Sequence, residues 1–154
     1  LCFEDMLTIK YQIQEMLRIE KIFDAKGIQE ELDAYNPLIP DGKNWKATLM
    51  IEYEDAYERK DRLGDLIGIE DTVWAQIGDC DVVYPICDED LDRANETKTS
   101  AVHFLRYELT EEMITAAKQT KDLFLGVSHP NLSIPKTKLP TEIQQALTED
   151  LILL

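Results

Sequence analysis

No stretch of the 154-residue chain approaches the roughly 20 consecutive apolar residues of a membrane-spanning helix. Cysteine is scarce: Cys2, Cys80 and Cys87 are the whole supply, with no Cys-x-x-Cys, and the gap between Cys80 and Cys87 fits no common zinc or cluster spacing. Three thiols cannot pair off evenly, so they read as free thiols of a reducing cytoplasm. Two adjacent hairpin strands would still bring Cys80 and Cys87 close enough to oxidise. The sequence contains no Gly-x-Gly-x-x-Gly, Walker loop, Gly-x-Ser-x-Gly or His-Glu-x-x-His, and no Glu-x-x-His pair for a di-iron site. Most standard enzyme classes thereby lose their usual support, and no cofactor and no metal is assigned. Basic residues are the minority: 16 Lys and Arg face 31 Asp and Glu, a formal charge of −15. Such an excess of acid argues against nucleic acid and anionic membranes as partners, because both need a positive footprint. No secretory pattern is visible at the N-terminus. The chain starts at Leu1 rather than Met, and the simplest expectation is that further residues precede it.

What is present is 44% hydrophobic and 31% charged, the profile of one soluble globular domain long enough to bury a core without staples. A first helix is predicted over residues 5–25, closed by Gly27, with Met6, Ile9, Ile13, Met16, Leu17 and Phe23 on one face. A short second helix carries Ile28, Leu32 and Tyr35. Asn36-Pro-Leu-Ile-Pro-Asp-Gly-Lys-Asn44 then breaks the pattern as an ordered loop. Residues 47–53 read as a strand, and Asp55 with Glu58 opens a helix to about residue 67. Residues 73–77 and 82–86 read as strands around a Gly78-Asp79 turn. Residues 88–100 are polar loop. A strand follows at 101–109, a helix capped by Thr110 runs to 119, and a last strand occupies 123–127. After His129-Pro130, a Pro-containing stretch leads to a helix from about residue 140, with Ile143, Leu147, Leu151 and Leu154 on its apolar face.

Leu49-Met-Ile-Glu-Tyr53, a helix and Trp74-Ala-Gln-Ile-Gly78 give strand–helix–strand, and Phe104-Leu-Arg-Tyr-Glu108, a helix and Phe124-Leu-Gly-Val-Ser128 give it again. The expected fold is therefore α+β, with a mostly antiparallel sheet of about five strands, helices on one face and ferredoxin-like duplicated β-α-β units. The expected organisation is a single domain over 1–154, with a helical segment and loop at 1–45, the sheet core at 46–130 and an extended stretch plus helix at 131–154.

Few residues stand out chemically. Glu20 lies near the middle of the apolar face of the first helix, where an isolated charge is expensive. It is answered by an internal ion pair with Arg59, it emerges into solvent at the helix end, or it binds a ligand or metal. His103 falls in an apolar row with Ala101, Leu105, Tyr107 and Leu109, while Arg106 and Glu108 share the opposite face. A hydrogen-bonded core histidine is the commoner outcome; the functional alternative is a mixed site with Glu15 or Glu20. No His-x-x-Glu, His-x-His or Glu-x-x-His pattern supports that alternative. His129 precedes a proline in a turn and is expected to be exposed. Asn36, Asp41 and Asn44 satisfy their own loop or converge on a ligand. Asp88-Glu-Asp-Leu-Asp92 reads as a solvated loop without the order of a calcium loop.

Tyr11-Gln-Ile-Gln-Glu-Met-Leu-Arg-Ile-Glu20, Glu31-Leu-Asp-Ala-Tyr-Asn-Pro-Leu-Ile-Pro-Asp-Gly42 and Lys98-Thr-Ser-Ala-Val-His-Phe-Leu-Arg-Tyr-Glu-Leu109 closely resemble a bacterial family of uncharacterised function. Genes of that family often neighbour rubrerythrin and an iron–sulfur protein of the heterodisulfide-reductase type. The resemblance implies a further N-terminal segment rich in Lys and Arg, and a cytoplasmic role beside peroxide or oxygen defence. It implies no established activity, cofactor or catalytic residue. Two functions follow as expectations. The first is a non-enzymatic accessory or interaction protein of such a redox module, with the iron–sulfur protein or rubrerythrin as partner. The second is a small-ligand or metal-dependent enzyme with its site between the first helix and the His103 strand, drawing on Glu15, Glu20, Arg59, His103 and Arg106.

Overall fold

The computed structural model of the chain describes residues 1–90, 92–95, 97–119 and 121–153. In chain order its elements are β1 (Cys2–Glu4), α1 (Met6–Glu20), α2 (Ala25–Tyr35), β2 (Asn44–Met50), α3 (Ala56–Asp65), β3 (Val73–Ile77), β4 (Ile86–Cys87), β5 (Val102–Glu108), α4 (Glu111–Lys118), β6 (Leu123–His129), β7 (Leu132–Lys138) and α5 (Thr141–Glu149). Short 3-10 turns occupy Asn36–Leu38 and Glu70–Thr72. The α+β class and the antiparallel pairing match the expectation. The strands divide between two sheets, one of four in the order β1-β2-β5-β4 and one of three in the order β3-β6-β7. Every strand pair among the described residues is antiparallel.

The duplicated strand–helix–strand units are both formed, the leading strand of the first lying at Asn44–Met50 rather than 47–53, and each spreads its strands over the two sheets. β2 pairs with β5, so the two leading strands lie side by side, and β3 pairs with β6, so the two trailing strands do as well. Alternation then turns one row from each sheet into a common core. Trp45, Ala47, Leu105 and Tyr107 come from the first sheet, Val73, Ala75, Ile77 and Leu123 from the second, and all are buried. The Tyr107 hydroxyl donates to the Val73 carbonyl at 2.9 Å, which ties the sheets together. Leu147 and Leu151 close the core from the C-terminal segment, where the Trp45 indole Nε1–H donates to the Leu147 carbonyl at 2.8 Å. The expected place of Leu154 lies outside the described residues.

The predicted first helix stops at Glu20, short of residue 25, and the predicted second helix begins earlier than its apolar spacing shows, at Ala25. Asp5 caps α1 reciprocally with Thr8, and Lys21 stops it in the left-handed region at φ 56°. Asp24 then caps α2 by accepting from the Gly27 N–H at 2.9 Å, so Gly27 sits inside the first turn of the second helix rather than closing the first. Ile9 and Ile13 are buried as the wheel predicts, whereas Met6 and Phe23 are exposed, Phe23 because it lies in the turn, outside any helix. The stretch after residue 130 is also more ordered than predicted, forming edge strand β7. Its Pro135 lies where the β6–β7 register shifts between Leu125 and Val127, a position that tolerates a residue without an N–H. Of the strand expected at 82–86, only Ile86 joins β4, while Val83 bridges to Ala75 across a single pair. All three cysteines are free thiols. No helix is long and apolar enough to cross a membrane among the described residues.

Candidate metal centre

The pleat of β5 turns His103, Leu105 and Tyr107 inward, and His103 is fully buried. The chain leaves β4 at Asp88 in the left-handed region, φ 47°, a strained setting for a residue other than glycine. Three contacts hold it there. Its N–H donates to the Phe104 carbonyl at 2.9 Å, and its Oδ1 accepts from the Phe104 N–H at 2.9 Å and from Arg93 Nε at 3.0 Å. Arg93 also pairs with Asp90, and its guanidinium lies 4.6 Å over the Phe104 ring. The other Asp88 oxygen, Oδ2, sits 2.6 Å from His103 Nδ1. A carboxylate only accepts, so Nδ1 carries the proton and donates.

The opposite edge of the imidazole faces three oxygens. Thr99 Oγ1 is 2.9 Å and the Ser100 carbonyl 3.1 Å from Nε2. Glu70, delivered by the 3-10 turn before β3, places Oε2 at 3.8 Å. That oxygen is buried and has no hydrogen-bond partner among the described residues. One ligating atom each from Glu70, Asp88 and His103 lies within 4.8 Å of the others. Asp88 already has the Arg93 guanidinium beside it, but on the Nε2 edge a carboxylate, an imidazole nitrogen and a carbonyl face one another in a sealed space, an arrangement that calls for a positive charge, supplied by a proton or a metal ion.

Nucleophilic chemistry fits the site poorly. Thr99, His103 and Asp88 are spaced like a hydroxyl–imidazole–carboxylate triad, but Thr99 is 1% exposed, so its hydroxyl cannot meet a substrate. Burial, reinforced by Asp71, Asp88 and Glu70, pushes the Cys87 thiol far above its usual range and keeps it neutral.

The first helix does not supply the partners of His103. Glu15 lies on the helix surface, paired with Arg18 at 2.8 Å, and that hydrogen bond holds its carboxyl below the usual range. Glu20 is exposed, and its side chain makes no ion pair or hydrogen bond among the described residues. Residues 18–21 are all exposed, so no element among the described residues covers the last turn of α1. Arg59 is exposed on α3, and the internal Glu20–Arg59 pair does not form. Arg106 occupies the outer face of β5, bound by both Glu89 oxygens at 2.8 Å and by Glu108. There it lines a groove of about 700 Å³ with Tyr35, Leu38, Lys46, Phe104 and Glu89, between α2 and the sheet. His103 and Arg106 therefore serve opposite faces of one strand. His129, expected in solvent, is buried because Nε2–H donates to the Ile67 carbonyl at 3.0 Å while Nδ1 accepts from the Asn131 N–H at 3.2 Å. Two of the three polar loop residues serve the loop's own backbone: Asp41 accepts from the Lys43 N–H and Asn44 from the Asp41 N–H.

Glu70 and Asp88 are the functional candidates that sequence reasoning passes over. They stand far from His103 along the chain and share no short motif with it. Asp88 is hidden as the first member of an acidic run, of whose described residues it alone is drawn in, its side chain 9% exposed.

A crystal structure described as a novel protein of unknown function from Burkholderia pseudomallei K96243 is 51% identical to this chain with a TM-score of 0.92. The match covers 97% of this chain and 78% of that one. No curated protein matches. The family described as protein of unknown function (DUF3501) matches residues 1–151, and this chain belongs to that family.

Proposed function

We propose that this protein binds one divalent first-row metal ion at the His103 centre, and that the ion serves an accessory rather than a catalytic protein. The observation that carries the reading is Glu70 Oε2, a buried carboxylate oxygen without a partner, 3.8 Å from an imidazole nitrogen. Mixed carboxylate and imidazole donors suit ions of this class. An accessory role is supported by the sealing of the centre, since neither His103 nor Thr99 has appreciable exposure. The redox setting, with an iron–sulfur protein or rubrerythrin as partner, is what the family resemblance implies, and pull-down at low salt tests it.

Metal analysis of untagged protein, followed by calorimetric titration of the chelator-treated chain, tests the metal itself. The expected result is one ion per chain, lost in His103→Ala. Protein that neither retains nor binds any of Mn2+, Fe2+ or Zn2+ overturns the reading.

A further inference from the structure

We infer that the ion is held at the Nε2 edge of His103, by Glu70 together with the Thr99 hydroxyl and the Ser100 carbonyl, and that Asp88 is a positioning residue rather than a ligand; this rests on the metal-binding reading above. Both Asp88 oxygens are already engaged, Oδ1 by the Phe104 N–H and Arg93, Oδ2 by His103 Nδ1. The two ring nitrogens aim their lone pairs in divergent directions. An ion on Nε2 therefore lies across the ring from Asp88, although all three residues are close. Asp88 instead fixes the tautomer: with the proton held on Nδ1, Nε2 is left free to ligate, the carboxylate–histidine–metal arrangement of many metal sites.

The oxygens around Nε2 suit coordination. Metal–donor bonds of about 2.1 Å set neighbouring donors roughly 3 Å apart. Thr99 Oγ1 at 2.9 Å and the Ser100 carbonyl at 3.1 Å already have that spacing from Nε2, and Glu70 Oε2, at 3.8 Å, needs only a small approach. Glu70 is 9% exposed and its Oε2 is the buried side-chain polar atom left unpartnered among the described residues, which separates this edge from an ordinary acidic cluster. One imidazole with carboxylate, hydroxyl and carbonyl oxygens is a hard to borderline donor set, the kind that takes Mn2+ or Fe2+.

Asp88→Asn and Glu70→Gln separate the two roles. Asparagine tolerates the left-handed backbone and keeps an amide oxygen for Phe104 and Arg93, so the substitution changes mainly the group facing Nδ1. Titrated with Mn2+, Asp88→Asn is expected to keep a stoichiometry of one and to lose roughly 10–100-fold in affinity. Glu70→Gln is expected to lose binding over the same concentrations. In the 15N spectrum of the unsubstituted protein, the His103 proton is expected on Nδ1 and to remain there when Zn2+ is added, a readout that needs no variant. Binding abolished by Asp88→Asn but retained by Glu70→Gln, equal loss in both, or departure of the Nδ1 proton on Zn2+ addition overturns the inference and leaves the metal-binding reading standing. Absence of any Mn2+, Fe2+ or Zn2+ binding by the unsubstituted protein overturns both.

Discussion

Glu70 Oε2 and His103 Nε2 face each other at 3.8 Å in the interior, and the carboxylate oxygen has no hydrogen-bond donor among the described residues. A buried charge in this state destabilises the metal-free fold, because its lost hydration is not replaced. Glu70→Gln should therefore stabilise the chelator-treated protein by about 1–3 kcal/mol. The same substitution should abolish stabilisation by added metal. Urea unfolding with and without chelator measures both effects, and a Gln variant less stable than its parent in chelator contradicts the first.

A second buried acid has its donors in place. Glu4 accepts from Thr48 Oγ1 at 2.6 Å, Thr8 Oγ1 at 2.6 Å and Gln12 Nε2 at 2.9 Å, tying β1 to α1 and β2. Thr48→Val preserves shape and removes one donor from a buried carboxylate, a loss of about 1.5–3 kcal/mol by denaturant unfolding. Thr48→Ser, which keeps the hydroxyl, should lose clearly less; equal losses would assign the effect to the methyl group.

Trp74 and Gly126 are directly paired across β3 and β6. A Cβ on residue 126 would lie 2.1 Å from Trp74 Cζ2, so the indole occupies the space of the missing side chain. Gly126→Ala should destabilise by about 1–3 kcal/mol through overpacking. Trp74→Leu should recover part of that loss, and a double-mutant cycle showing strict additivity would contradict the pairing.

Burial, with Asp5 and Glu149 nearby, raises the Asp150 carboxyl above its ordinary value. A raised carboxyl binds its proton more tightly in the folded chain than in the unfolded one. Its stabilising contribution is present below the unfolded-state value of about 3.9 and is lost as pH rises through the folded-state value. Asp150→Asn should thus raise Tm at pH 7 and leave it nearly unchanged near pH 3. A variant that melts lower at pH 7 would reverse the sign.

Local signals were legible in the sequence. The inward row of β5 follows from alternation, Asp55 and Thr110 cap α3 and α4 as read, and both strand–helix–strand units exist. Pairing between distant strands was not: nothing in either unit says that its second strand joins another sheet. Glu20 emerges into solvent at the helix end, one of its three expected outcomes, because a helical wheel assigns a face but not where its cover ends; the buried Glu4 lies in a three-residue strand too short to show alternation. Asp24, a capping side chain three residues before Gly27, marks where the first helix has ended and the second begins, a boundary that apolar spacing alone places too late. His103 was placed correctly in its row, yet its partners come from a 3-10 turn and the end of a two-residue strand, elements without a periodic signature.

The most direct measurement is calorimetric titration of chelator-treated, untagged protein with Mn2+, Fe2+ and Zn2+ in turn, run beside Glu70→Gln and His103→Ala. The account predicts one site in the parent protein and none in either variant. A parent that takes up no ion, or variants that take it up as the parent does, would contradict it.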